Sequence, residues 1–357
     1  MIMAGGSGTR LWPMSRQDRP KQLVPLIEGR SLLEVATERL NGVVPTEQRW
    51  ICTGERFREA IVSGVPGIGD EQILGEPVGR DTLNAVGLTA QVLALDDPEA
   101  IFAVLTADHL IEPQEVFAAR LDAGFKLVEE DPSRLVTFSI TPTYPATGYG
   151  YVQRGAAIPE QDDCYLAKRF VEKPDLETAK QFLAAGDYGW NSGMFIFSAK
   201  TVLDALQRFE PATREGLNTI AEAWNSPRRQ DVLAEIYPQL RKVSVDYGLM
   251  EPASDDSQLS VCVVPMALSW IDVGSWPSLG ETIEPDANGN RVAGNSAWND
   301  IDSSGLMIIS EDDSHRICTI GCRDLVIVHT KDATLVCAAE DAQKVKDMAG
   351  EVPESLR

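Results

Sequence analysis

Ala4-Gly-Gly-Ser-Gly-Thr-Arg-Leu-Trp-Pro-Met-Ser-Arg-Gln-Asp-Arg-Pro-Lys-Gln22 places a glycine-rich turn directly before Arg10, and Lys21 follows in the same string. Gly5, Gly6 and Gly8 carry no Cβ, so the backbone N–H groups of this turn can approach a phosphate closely. Arg10 and Lys21 add two fixed positive charges, and Arg16 and Arg19 lie beside them. The chain as a whole has a formal charge of −22 at pH 7. A local concentration of cations and glycines in so acidic a chain reads as a seat for a small polyanion.

Two common phosphate loops are excluded. The P-loop requires G-x-x-x-x-G-K-[ST], and no such string follows Gly5. The dinucleotide fingerprint requires G-x-G-x-x-G, but Leu11 stands where its third glycine belongs. The glycines alone also fit an ordinary loop.

Working outward, 357 residues suit one large domain with an appendage, or two domains. The content of 43% hydrophobic and 24% charged residues is that of a soluble globular protein. No apolar run approaches the ~20 residues that span a bilayer, and no signal peptide precedes the turn. A cytoplasmic protein without a membrane partner is expected. The acidic balance argues against nucleic acid, which normally meets a basic face. Cys52, Cys164, Cys262, Cys318, Cys322 and Cys337 form no CxxC pair and no zinc spacing. Most of them read as small buried hydrophobes.

Residues 1 to about 280 alternate strand-like runs with amphipathic segments. Ile101–Leu105, Leu135–Ser139 and Met194–Ser198 have strand length and composition. Ser31-Leu-Leu-Glu34 is a capping box whose helix should end near Gly42. Pro113–Glu130 and Asp175–Gly186 read as further helices. The alternation predicts an α/β fold with a mostly parallel, Rossmann-like sheet covered on both faces, with ligands at the carboxyl ends of its strands. Glu281–Asn299 is rich in Pro, Gly, Asn and Asp. Beyond it, Leu306–Ile309, Ile317–Ile320, Leu325–Val328 and Thr334–Cys337 predict a small all-β unit, closed by a helix over Glu340–Ala349. The expected domains are 1–283 and 284–357. Only Met1-Ile2-Met3 precede the turn, so the first strand is expected to be truncated or to begin upstream of this chain.

Several loops carry candidate chemistry. Asp108, in Thr106-Ala-Asp-His109, follows a buried strand, and Asp272 lies in Trp270-Ile-Asp-Val-Gly-Ser-Trp276. Two converging carboxylates can share a Mg²⁺ that also binds phosphates, although each aspartate alone also fits a cap or turn. Phe170-Val-Glu-Lys-Pro174 fits a strand end with a surface ion pair. In Trp190-Asn-Ser-Gly-Met-Phe195, Asn191 can donate and accept toward hydroxyls, and Gly193 permits close backbone approach. A plain turn before a strand is the alternative there. Thr147-Gly-Tyr-Gly-Tyr151 and Glu76-Pro-Val-Gly-Arg-Asp-Thr82 supply two more loops.

The string from Ala4 to Gln22, with the later motifs in order to Trp276, resembles the sugar-phosphate nucleotidyltransferases. Leu11-Trp12-Pro13 and Pro20-Lys21-Gln22 look most like the mannose-1-phosphate guanylyltransferase branch. The resemblance implies GMP transfer from GTP to mannose 1-phosphate, giving GDP-mannose and pyrophosphate. It implies Arg10, Lys21, Asp108 and Asp272 as catalytic residues, with Asp108 and Asp272 holding Mg²⁺. It implies nucleotide contacts from Ala4, Gly5, Gly6, Ser7, Gly8, Thr9, Arg10, Lys21, Glu76, Arg80, Asp81, Thr82 and Asp108. Sugar-phosphate contacts would come from Gly148, Tyr149, Glu172, Lys173, Asn191 and Gly193. His109 is not needed for this chemistry, and reads as a packed residue behind the aspartates. The C-terminal unit resembles a short β-helix that serves contacts between domains or subunits, which would permit a homodimer. This chain departs from the pattern Arg-Asn-Thr-Ala-Pro-Ala at Asp81 and at Leu83-Asn84, so its base preference is less fixed than its reaction class. Pro252 stands where the family pattern has lysine. A same-fold enzyme for another pair, such as glucose 1-phosphate with dTTP or UTP, remains open, as does a non-catalytic sugar-nucleotide sensor. A longer family version carries a phosphomannose isomerase domain. The chain reaches only Arg357, so no isomerase activity is expected.

Overall fold

A computed structural model describes residues 1–6, 8–293 and 296–357. The first strand, β1 (Ile2–Met3), lies between β2 (Ile51–Gly54) and β4 (Ile101–Thr106), with β3 (Ile73–Glu76) outside β2. These four strands are parallel. Their near-continuous burial is what a sheet covered on both faces requires. β1 is only two residues long, yet backbone bonds continue past it: Ala4 donates to Cys52 O and Ala107 to Met3 O.

Beyond β4 come β5 (His109–Glu112), β6 (Arg134–Ile140), β7 (Tyr151–Ala157), β8 (Tyr165–Val171), β9 (Tyr188–Ser198), β10 (Ser260–Met266) and β11 (Ser269–Asp272). The main sheet has the order β3-β2-β1-β4-β9-β6-β10-β8-β7. It is mixed rather than uniformly parallel, because β8 and β9 run against the other strands. Strand β9 decides where the site lies. Its second half pairs with β4, ending at Val104↔Phe195. Its first half pairs with β7, beginning at Tyr151↔Trp190. Among the described residues, one edge of β9 is therefore without a strand partner from Asn191 to Met194, where β4 has stopped and β7 has not begun. Trp190–Gly193, where a plain turn was the alternative reading, is thus part of one long strand, kinked at Gly193 with φ +70.

The predicted helices appear as Leu32–Glu38, Gln114–Glu130 and Leu176–Ala185. The Ser31/Glu34 capping box is formed, but the helix stops before Gly42, giving way to turns. Helices on the two faces of the sheet enclose two large apolar clusters. A separate ribbon, β5 paired antiparallel with β11, sets Asp272 opposite His109.

The C-terminal part contains β12 (Arg291–Ala293), β13 (Ala297–Ile301), β14 (Met307–Ser310), β15 (Arg316–Ile320), β16 (Leu325–His329) and β17 (Thr334–Ala338). Parallel pairs β12–β14–β16 and β13–β15 stack successive coils, and β17 turns back antiparallel. The expected final helix divides into a 3-10 turn, Ala339–Lys344, and an α-helix, Val345–Glu351. β12 and the start of β13 fall in the stretch rich in Pro, Gly, Asn and Asp, where no strand was expected. Among the described residues, no helix is long and apolar enough to cross a membrane.

Candidate active site

A cavity of about 680 Å³ opens at the gap along β9, beyond the carboxyl ends of β1, β3 and β4. At one end Gly5 and Gly6 form its wall, with open space where a Cβ would point. Gly8 has a different task. Its φ is +62, and a Cβ there would lie 2.5 Å from Lys21 Cβ, so glycine lets the turn close over the lysine stem. That stem is buried, and Lys21 Nζ donates to Asp108 Oδ2 at 2.6 Å and to Val273 O at 3.2 Å. Arg10 lies on the cavity wall and donates to Gln343 Oε1 at 3.3 Å.

Asp108 sits in the turn from β4 to β5, and the β5–β11 ribbon delivers Asp272 to the same point. Candidate ligand atoms of Asp108, His109 and Asp272 lie within 4.8 Å of one another. Burial alone would push the Asp108 carboxyl up, but Lys21 and His109 outweigh it and hold the group at about 2. Burial pushes His109 down toward the neutral ring. Trp270 Nε1 donates to His109 Nδ1 at 3.1 Å, so the ring proton sits on Nε2, 3.7 Å from Asp108 Oδ1. A protonated Nε2 cannot ligate a metal. The donor set is then two carboxylates at a cavity wall, which suits a hard divalent cation such as Mg²⁺.

Behind this loop lies Arg39, 5% exposed. Its guanidinium donates to Thr106 O at 3.2 Å and His109 O at 3.0 Å, straddling Asp108, and stands 5.0 Å from the Phe117 ring centroid. Burial lowers it to about 10, while Asp108 pulls the other way.

At the opposite end, Glu172 and Lys173 follow β8 and pair at 2.8 Å. Gly150 faces Glu172, and any Cβ there would collide with its carboxylate. Asn191 is held from both ends. Its Oδ1 accepts from Thr137 Oγ1 at 2.9 Å and Gly193 N at 3.2 Å, and its Nδ2 donates to Asp246 Oδ1 at 2.8 Å. Burial, reinforced by Glu172, pushes Asp246 up to about 7. Tyr149 packs edge-on against Trp190 and Trp270, making an aromatic side to this end.

A third region is built around the start of the helix Thr82–Asp96. Asp81, at φ +67, caps it by accepting from Thr82 N. Glu76 is buried and accepts from Tyr237 Oη at 2.7 Å, and burial raises its carboxyl. Asn84 Nδ2 donates to Arg80 O and Arg241 O, tying this loop to the segment that carries Lys242 and Val245 on the facing wall.

A family model described as nucleotidyl transferase matches residues 1–289, and one described as MannoseP isomerase/GMP-like beta-helix domain matches 299–352. The chain belongs to the nucleotidyl transferase family. Among relatives of this transferase, a mannose-1-phosphate guanylyltransferase of Escherichia coli is 40% identical over 349 residues, 97% of this chain and 72% of that protein. The xanthan biosynthesis protein XanB of Xanthomonas campestris pv. campestris (strain B100) is 34% identical, over 100% of this chain and 73% of its own. A crystal structure described as mannose-1-phosphate geranyltransferase from Thermus thermophilus superposes with a TM-score of 0.85 at 33% identity, covering 98% of this chain and 97% of that one.

The transferase cavity gathers Gly5, Gly6, Arg10, Glu76, Asp81, Thr82, Asp108, Gly148, Tyr149, Glu172, Lys173, Asn191, Gly193 and Asp272. Ala4, Gly8, Thr9, Lys21 and Arg80 are not on its wall. Ala4 is buried with its backbone bonded to β2 residues Cys52 and Thr53, and Lys21 reaches the site through Asp108. Ser7 lies outside the described residues. Arg16 and Arg19 correct the sequence reading: they pair with Asp332 and Glu311 of the C-terminal unit and do not line the cavity. Sequence reasoning missed Arg39, Trp270 as an aromatic wall, Lys242 and Asp246 as site residues. Trp270 stood inside a string already singled out. Arg39, in an unremarkable helix end, gave no signal.

Proposed function

We propose that this protein transfers GMP from GTP to mannose 1-phosphate, releasing pyrophosphate and forming GDP-mannose. The observation that carries the reading is the convergence of Arg10, Asp108 and Asp272, with Lys21 bonded to Asp108 from behind the wall, at one end of a cavity whose other end holds Glu172, Lys173, Asn191 and Asp246. The guanylyltransferase named among its relatives supports the choice of substrates.

The nucleophile is a sugar-phosphate oxygen, already anionic, so no general base is required. The task is to bring two polyanions into line and to balance charge as the bond to the α-phosphate forms and the bond to pyrophosphate breaks. The Gly5–Gly6 turn and Arg10 hold the triphosphate and the departing pyrophosphate. Lys21, fixed by its buried stem, places its charge beside Asp108. Lys173 receives the sugar phosphate, and Glu172 and Asn191 orient the hexose, with Tyr149 and Trp270 against its face. Asp108 and Asp272 would hold Mg²⁺, which when bound supplies charge neutralisation to the phosphates. Glu76, Asp81 and Thr82 border the space left for the base. A cytoplasmic location and a homodimer are further parts of this reading.

The test is product formation. With GTP, mannose 1-phosphate and Mg²⁺, chromatography should show GDP-mannose and pyrophosphate in equal amounts, and EDTA should stop both. A folded protein that forms neither would defeat the proposal.

A further inference from the structure

The phosphate turn is gripped from behind by the C-terminal β unit, at several independent points. Leu11, Trp12 and Met14 are buried in one apolar cluster with Met307, Val326, Leu335 and Val345. Trp12 is the junction. Its Nε1 donates to Leu356 O at 2.7 Å, and its own carbonyl accepts from Trp276 Nε1 at 3.0 Å. Trp276 in turn follows Asp272 by four positions, so one residue, Trp12, links the turn, the metal-side loop and the C-terminal segment through its indole and its carbonyl. Gln17 N donates to Arg357 O at 3.0 Å, and Arg16 binds Asp332 at 2.6 Å. At the cavity itself, the only polar side-chain bond of Arg10 among the described residues is to Gln343. Gln343 belongs to the 3-10 turn Ala339–Lys344 of the C-terminal part.

Arg10 is long and rotamer-rich, and an unheld arginine loses much of its electrostatic value to side-chain entropy. A neutral amide acceptor can aim the guanidinium without neutralising it. An acidic residue there would compete with phosphate for the same fork.

We propose that the C-terminal β unit is a working part of the nucleotide site, with Gln343 as a positioning residue that aims Arg10 and with Trp12 as the anchor of the phosphate turn. The inference rests on the reading of Arg10 as a phosphate contact. It adds that this contact is made competent by a segment about 330 residues further along the chain.

The experiment uses the full chain, with Gln343→Ala, Gln343→Glu and Trp12→Phe. Binding of Mg–nucleoside triphosphate is measured by calorimetry without sugar phosphate, beside steady-state kinetics. The nucleotide used is the one that the wild type binds, so a wrong base assignment shows in the wild type and not in the variants. Gln343→Ala is expected to weaken nucleotide binding and raise its KM by about 3- to 10-fold, the worth of one net hydrogen bond. The KM for the sugar phosphate and the melting temperature should not move. Gln343→Glu should weaken nucleotide binding further, and lose that excess in high salt. Trp12→Phe should reduce both nucleotide affinity and kcat. Gln343→Ala and Gln343→Glu with wild-type nucleotide affinity would overturn the proposal, whether or not Trp12→Phe folds. Equal losses for nucleotide and sugar phosphate would also overturn it, by marking a general structural role.

Discussion

Lys21 shows how much of this site rests on single side chains. Its stem is enclosed by the Gly8 turn, and its ammonium pairs with the Asp108 carboxylate. A charge so fixed cannot be replaced by water or by a neighbour. Lys21→Ala, Asp108→Asn and Asp272→Asn are each expected to lower kcat on the order of 100-fold or more while the far-UV circular dichroism stays wild-type. Retention of over about a tenth of wild-type turnover in a folded variant contradicts the role of that residue. Asp246 makes a prediction about pH. Its folded carboxyl is raised to about 7 from an ordinary 3.8, so between those values the native state binds more protons than the unfolded chain. Stability from this group is present at low pH and is lost as pH rises from about 4 to about 7. Asp246→Asn should therefore stabilise the protein at pH 8 and change little at pH 4, read as urea midpoints. A difference that is the same at both pH values would contradict the shift. The placement of Asp108 and Asp272 at the cavity was legible in sequence because they stand in strings with their own neighbours. Asp246 has its partners Asn191 and Glu172 55 and 74 positions away, and only the fold brings them to it.

At the scale of elements, the site depends on how strands end. The two halves of β9 take different partners on one edge, and the gap between them is where the cavity opens. Composition predicted the hydrophobic second half, Met194–Ser198, because it is a continuous apolar run. The first half gave no strand signal, since Asn191 and Gly193 are poor strand formers; pairing with β6 and β7 overrides that preference. β12 and β13 were hidden for the same reason, since coils of a stacked β unit take their order from neighbours rather than from local propensity. The β4–β5 turn has a comparable dependence on Arg39. Its bonds to the carbonyls of Thr106 and His109 are buried or partly buried, and one guanidinium spans both. Arg39→Met is expected to cost about 2–4 kcal/mol, since two acceptors lose their donor in a buried place. Chemical denaturation checks this, and a cost under about 1 kcal/mol contradicts the bracing role.

The whole molecule is less divisible than two family matches suggest. Trp276 is fully buried in a cluster that joins Leu11 and Val24 to Met307 and Val328, so the transferase part and the C-terminal part share one core. Calorimetry should then give one unfolding transition, with Trp276→Ala lowering it as a whole by about 3–5 kcal/mol. Two resolved transitions would contradict a shared core. Sequence placed the boundary between the parts by a change of texture, but cross-contacts such as Trp12 to Leu356 leave no mark in local composition. In a chain of formal charge −22, Arg10 and Lys173 stand at opposite ends of one cavity, which suits a small anionic substrate pair better than a polymer. The most direct test of the whole account is pyrophosphate release with Mg²⁺, crossing mannose 1-phosphate and glucose 1-phosphate against GTP, ATP, UTP and dTTP. The account predicts a clear maximum for mannose 1-phosphate with GTP, and a maximum at any other pair, or none from the folded protein, would contradict it.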